Sequence, residues 1–263
     1  MNLKYLISKA TTFPLLPLLY IQGKKIRENT PILPEASDIQ GETYKDSERT
    51  LRIITVGDSS MAGVGVKTHT EGFIGILSVR LSSYYNTNIW WKVYAKSGYT
   101  ALKVKNRLVP TVNDVNLDLI VIGVGGNDAF KLTSPKEWIN NIKALIADIR
   151  IKYRYQPIIF INMPPVREIP AFTSLIKYIM GNLIDAYSYK LAKYVKKTDN
   201  VFYCSRKISY RDYTKRYKLN SHPSDFFSNE DKFHPSKLAY EIWAKDVSDF
   251  IIKNKVINNV LHS

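Results

Sequence analysis

Two habits of hydrophobic placement alternate along the chain. Short, nearly uninterrupted apolar runs at 53–56, 89–95, 117–124, 158–161 and 201–204 are rich in Ile, Val and aromatic residues and bounded by polar or turn-forming positions. Such runs predict buried strands covered on both faces, as in a parallel sheet. Between them the apolar residues recur at helical spacing. One set runs Phe73, Ile76, Leu77, Val79 and Leu81, and a second Trp138, Ile139, Ile142, Leu145, Ile146 and Ile149. A third and longer stripe is Phe172, Leu175, Ile176, Ile179, Leu183, Tyr187, Leu191 and Tyr194, and a last helix is expected from about Ser236. Five strands separated by helices predict an α/β doubly wound parallel sheet, with crossovers placing helices on both faces.

Outside this pattern the ends read differently. Residues 1–50 are expected to form an apolar arm and a linker, 51–255 the folded domain, and 256–263 a tail. The arm carries Lys4 and Lys9 ahead of an apolar run from Phe13 to Ile21 that Pro14 and Pro17 interrupt. No small-x-small cleavage site follows, and the run is far shorter than the ~20 apolar residues needed to span a bilayer. It is therefore read as an arm packed on the body or resting on a membrane surface, the former preferred, in a protein that is cytoplasmic or peripherally membrane-associated. Residues 23–49 are polar, include Pro31 and Pro34, and read as a linker.

Composition changes this picture in two places. Of 263 residues, 38 are Lys or Arg against 23 Asp or Glu, a net charge of +15. Most of the excess lies between Arg150 and Lys218, where fifteen basic residues face four acidic ones. That stretch is expected to attract anions. The single Cys204 excludes an intrachain disulfide and a thiolate-based structural zinc site.

In a doubly wound sheet, ligands bind beyond the carboxyl ends of the strands. Three predicted strand ends carry chemistry. The first ends in Gly57-Asp58-Ser59-Ser60, a tight turn that presents a serine hydroxyl and its own N–H to the crevice. The second leads into Lys96-Ser97-Gly98-Tyr99-Thr100, where Gly98 lets backbone approach a ligand. The third ends in Gly125-Gly126-Asn127-Asp128; the Asn127 amide either donates to a developing oxyanion or caps the next helix. Near the C-terminus, Asp231-Lys232-Phe233-His234 puts a carboxylate within reach of one imidazole nitrogen and leaves the other free as a base. Of the other histidines, His69 lies in a polar loop and His262 in the tail, while His222 beside Asp225 competes for the role.

These four segments resemble, in order and spacing, the motif blocks of the SGNH (GDSL) hydrolase family. The resemblance spans about the last four-fifths of the chain. It implies a flavodoxin-like α/β/α sandwich on a five-stranded parallel sheet. It further implies Ser59 as nucleophile, His234 as base and Asp231 as its orienter. The oxyanion hole would comprise the Ser59 and Gly98 backbone with the Asn127 side chain, and neither metal nor organic cofactor is required. Ser60 stands where the family name implies Leu, outside the triad. There is no Gly-x-Ser-x-Gly around Ser59, so a nucleophile elbow of the α/β-hydrolase kind is not supported.

The expected activity is hydrolysis of an acyl ester through an acyl-enzyme, on a small-molecule or lipid substrate. The interleaved basic and tyrosine residues of 206–218 suggest contact with anionic headgroups, or simply a solvated face. An acyltransferase or a non-turning-over binding protein on the same fold stays open. A nucleic-acid partner is not expected, since no motif for one appears.

Overall fold

A computed structural model describes residues 3–257, and of the first helix the side chains of 14, 15 and 17 onward. The basic start of the arm, Lys4 and Lys9, has no described side chains, and His262 lies outside the described residues. Six strands form one sheet: β1 (Gln40–Thr43), β2 (Thr50–Gly57), β3 (Asn88–Ala95), β4 (Leu119–Gly123), β5 (Ile158–Phe160) and β6 (Val201–Tyr203). Their order is β1-β3-β2-β4-β5-β6. The five predicted strands are all present and mutually parallel. The sixth, β1, pairs antiparallel on the β3 edge with Gln40 opposite Lys92.

The sheet core follows from the apolar runs. Every residue of β4 is buried, as are Leu51, Ile53, Ile54 and Val56 of β2. Among the described residues there are eight α-helices: α1 (Leu3–Asn29), α2 (Phe73–Tyr85), α3 (Ala101–Lys103), α4 (Gly126–Phe130), α5 (Pro135–Lys152), α6 (Ser174–Val195), α7 (Tyr210–Arg216) and α8 (Lys237–Lys253). The longer ones begin at side-chain caps that the sequence supplies. Ser134, Thr173 and Ser236 each accept a hydrogen bond from the N–H three residues on, satisfying donors that a helix start leaves orphaned. α2 packs on α8, and α5 on α6, flanking the sheet. Trp138 of α5 and Tyr187 of α6 stack at 4.5 Å between centroids, both fully buried.

Three segments depart from the sequence reading. The region read as a linker contains β1, which sits where Gly41 meets Trp91: a Cβ there would lie 2.4 Å from the indole. The proline-interrupted arm is part of one 27-residue helix that runs through Pro14 and Pro17. α1 rests on α6, with Leu19 and Ile26 against the core and Gln22 Oε1 accepting from Thr173 Oγ1 at 2.6 Å. At the other end, Val256 and Ile257 are buried in the core.

The basic, tyrosine-rich segment is also not a uniform surface. Tyr210 and Tyr213 turn inward, Tyr210 stacking on Phe226 at 4.3 Å. Arg206 and Arg216 both pair with the carboxylate of Asp246, which is wholly buried and also accepts from Tyr213 Oη at 3.2 Å. Part of the local charge excess thus compensates a buried anion, which an unpaired carboxylate in that position could not tolerate.

Candidate active site

The serine-bearing turn begins where β2 leaves the sheet. Gly57 sits so close to β4 that a Cβ would fall 2.2 Å from Gly123 O, so only glycine fits there. Asp58 N–H then donates to Gly123 O at 3.1 Å, and the turn closes through Ala62 N–H to Asp58 O and Val64 N–H to Ser59 O. The buried Asp58 carboxylate accepts from both the N–H and the hydroxyl of Ser60, at 3.1 and 2.8 Å. Ser60 thereby braces the turn on which Ser59 stands half-buried. Burial raises the Asp58 pKa against these hydrogen bonds.

The same turn touches the C-terminal motif directly. Gly65, at φ +105°, lies so near that a Cβ would stand 2.2 Å from Pro235 O, and Tyr240 Oη donates to Val64 O at 2.9 Å. Two segments some 170 residues apart are locked together by a glycine and a buried phenol. In the motif itself, Asp231 Oδ1 accepts from the N–H groups of Phe233 and His234 at 2.9 and 3.0 Å. Asp231 Oδ2 lies 2.5 Å from His234 Nδ1. Burial opposes ionisation of Asp231, but these hydrogen bonds prevail and hold its pKa below the usual carboxylate value. A proton on Nδ1 leaves Nε2 free to accept another.

Ser59, Asn127 and His234 line one pocket of about 70 Å³. Among the described residues no hydrogen bond joins Ser59 Oγ to the His234 ring. Asn127 Nδ2 donates to Tyr99 O at 3.1 Å, tying α4 to the loop after β3. Gly98, in that loop at φ +77°, is exposed and is not among the lining residues. His222 is elsewhere: it is exposed, and its Nδ1 is engaged with Ser224 in capping a short 3₁₀ turn. His69, read as a polar-loop residue, is buried edge-on to Trp91, and burial lowers its pKa to about 4.

Most of the rest of the pocket wall is apolar and was not read from the sequence. Phe130, Ile169, Met180, Phe227, Phe233 and Trp243 contribute to it. Phe130, Phe172 and Phe233 form an aromatic cluster with centroids 5.2 to 5.8 Å apart, and Phe233 lies edge-on to His234. A fourth strand end also takes part: the β5 loop brings Asn162, Pro164, Pro165 and Val166. Asn162 has its polar atoms engaged, accepting from Trp243 Nε1 and donating to Arg206 O and Asp246. The signal available was its position just beyond a strand's carboxyl end.

Asp128 lies beneath this site, 1% exposed, with Ala101 N–H donating to it at 3.0 Å. Burial, reinforced by the charge of Asp58, raises its pKa to about 6. Its folded value lies above its unfolded one, so its contribution to stability is full below pH ~4 and is lost as pH rises through ~6. Asp128→Asn retains an acceptor for Ala101 N–H and removes the titration. In urea unfolding, the variant is expected to gain on the order of 3 kcal/mol relative to wild type between pH 4 and 7. A difference independent of pH would contradict that reading.

The fold has known counterparts. A lipase from a goat rumen metagenome shares 18% identity, with 76% of this chain and 96% of that one covered at a TM-score of 0.55. A family 3 carbohydrate esterase from Clostridium thermocellum shares 17%, covering 78% and 96% at a TM-score of 0.55. A lipase/acylhydrolase from Enterococcus faecalis shares 18%, covering 76% and 95% at 0.51. No curated protein matches the sequence significantly. The model of the GDSL-like lipase/acylhydrolase family matches residues 55–242, from the serine turn to the last helix and well over half of the chain; the chain belongs to that family.

Proposed function

We propose that the chain is a serine esterase acting through an acyl-enzyme, with Ser59 as nucleophile, His234 as base and Asp231 as its orienter. The observation that carries this reading is the Asp231–His234 hydrogen bond, in a pocket that the imidazole shares with Ser59. Ser59 Oγ attacks the ester carbonyl, and its proton passes to His234 Nε2. The tetrahedral oxyanion is met by the Ser59 N–H and the Asn127 amide from the pocket lining, and by the Gly98 N–H from the loop that Tyr99 O ties to Asn127. On collapse the C–O bond to the alcohol breaks, and His234 returns the proton to the departing oxygen. Water, deprotonated by the same nitrogen, then releases the acid and regenerates Ser59.

The pocket's character supports an apolar acyl group. Its volume of about 70 Å³ is roughly half that of an apolar cavity of ~150 Å³ able to hold benzene, which suits an acyl chain of a few carbons. The alcohol portion is then left to the open side, past Phe130. That the structural counterparts include a lipase and a carbohydrate esterase is consistent with one acyl chemistry on varied alcohols.

A series of p-nitrophenyl esters from acetate to long acyl chains tests this. The expected kcat/KM is greatest for two to about four carbons and falls at least tenfold by eight. A profile rising toward long chains would overturn the short-acyl assignment. Running the best ester with an added acceptor alcohol separates hydrolysis from transfer: free acid as the main product supports the esterase, and a new ester as the main product would make the enzyme an acyltransferase.

A further inference from the structure

The first helix presents two faces that ask for different neighbours. Leu15, Leu19, Gln22 and Ile26, at i, i+4, i+7 and i+11, form the partly buried side that rests on α6. The other side is open. Pro14, Pro17, Leu18 and Ile21 continue at i, i+3, i+4 and i+7, with Leu18 44%, Ile21 61% and neighbouring Tyr20 74% exposed. This apolar stripe runs directly into exposed Lys24, Lys25 and Arg27, whose only acidic neighbour on the helix is Glu28. An apolar face that ends in a cationic turn is the pattern of a helix lying in a bilayer interface, with tyrosine at headgroup depth.

Placement relative to the pocket agrees. Gln22 is hydrogen-bonded to Thr173, next to Phe172 of the aromatic cluster whose Phe130 and Phe233 line the site. α4 packs on α6 as α1 does, and it ends in exposed Phe130, Lys131 and Leu132, another apolar and basic set. None of the described helices is long and apolar enough to cross a membrane, so the contact is along a surface.

We propose that α1, through Leu18, Tyr20, Ile21 and the Lys24–Lys25–Arg27 turn, docks the protein on an anionic lipid bilayer with the pocket mouth beside the surface. Apolar insertion supplies part of the affinity, and the cationic turn makes it depend on lipid charge and salt. The site would thereby reach esters whose alcohol portion is held at the surface.

The test is flotation of the full chain with neutral phosphatidylcholine vesicles and with vesicles containing about one-third phosphatidylglycerol. The Ser59→Ala form is used so that binding is measured without turnover and independently of the proposed chemistry. Binding to anionic vesicles is expected to exceed that to neutral ones at least tenfold and to weaken with salt. Leu18→Glu with Ile21→Glu, and separately Lys25→Glu with Arg27→Glu, should each reduce it at least tenfold. Both variants should keep the circular dichroism spectrum and melting temperature of the parent Ser59→Ala form, which shows that they fold. Equal binding to the two vesicle types, or undiminished binding of the Leu18/Ile21 variant, would overturn the proposal. So would a lipid-free dimer that this variant abolishes, which would assign the face to a second copy.

Discussion

Ser59→Ala is expected to lower kcat for a soluble short-chain ester by about 10⁴-fold or more. The substitution removes one oxygen from a partly exposed position on a turn. That turn is held by Asp58, Ser60 and the Gly57 approach to β4, not by Ser59 Oγ. Thermal stability should therefore match wild type to within ~0.5 kcal/mol. Residual rate over water would come from the oxyanion donors and substrate binding. A variant that stays folded and retains more than a tenth of the activity would place the nucleophile elsewhere.

Asp231→Asn should be nearly as damaging, with a loss of about 10⁴-fold, for a different reason. The amide oxygen can still accept from the Phe233 and His234 N–H groups, so the loop is expected to keep its shape. What changes is the atom facing His234 Nδ1. An amide NH₂ there requires Nδ1 to accept, which puts the ring proton on Nε2 and removes the base from the side that Ser59 needs. Asp231→Asn measured beside His222→Ala discriminates the two histidines. His222 caps a surface turn and should leave kcat/KM within about twofold. Loss in His222→Ala and not in Asp231→Asn would reverse the assignment of the base.

The centre of the sheet was legible because β2, β4 and β5 bury both faces and so spell themselves as nearly unbroken apolar runs, β4 most clearly, whereas β3 showed itself by alternating buried Ile89, Trp91 and Val93 with half-buried neighbours. β1 was not, because an edge strand of Gln-Gly-Glu-Thr has no apolar face of its own and depends on Gly41 fitting under Trp91. α1 was hidden by Pro14 and Pro17, which ordinarily break a helix interior. In 206–218 the surrounding Lys and Arg concealed a helix whose Tyr210 and Tyr213, three residues apart, are core residues.

Within the site, legibility followed chain distance. Asp231 and His234 are three residues apart, and their spacing alone suggested a hydrogen bond. The meeting of the Ser59 turn with the His234 loop rests on Gly65 and Tyr240, residues with no chemistry to mark them. The apolar wall gathers Phe130, Ile169, Met180 and Phe227 from four separate segments, which no local pattern connects. The Gly98 loop was recognisable by motif, and its position beside the lining residues, tied to Asn127 through Tyr99 O, needed the structure.

A covalent acyl-enzyme on Ser59 implies that a fluorophosphonate, which stops at the analogous adduct, will label that residue. Attack by Ser59 Oγ would form an O–P bond, expel fluoride and pass the hydroxyl proton to His234, leaving a stable adduct. Peptide mass spectrometry after inactivation is expected to find one adduct, on the peptide carrying Gly57-Asp58-Ser59, forming in step with loss of activity and absent from Ser59→Ala. An adduct on any other residue that tracks inactivation, or full activity retained after Ser59 is labelled, would contradict it.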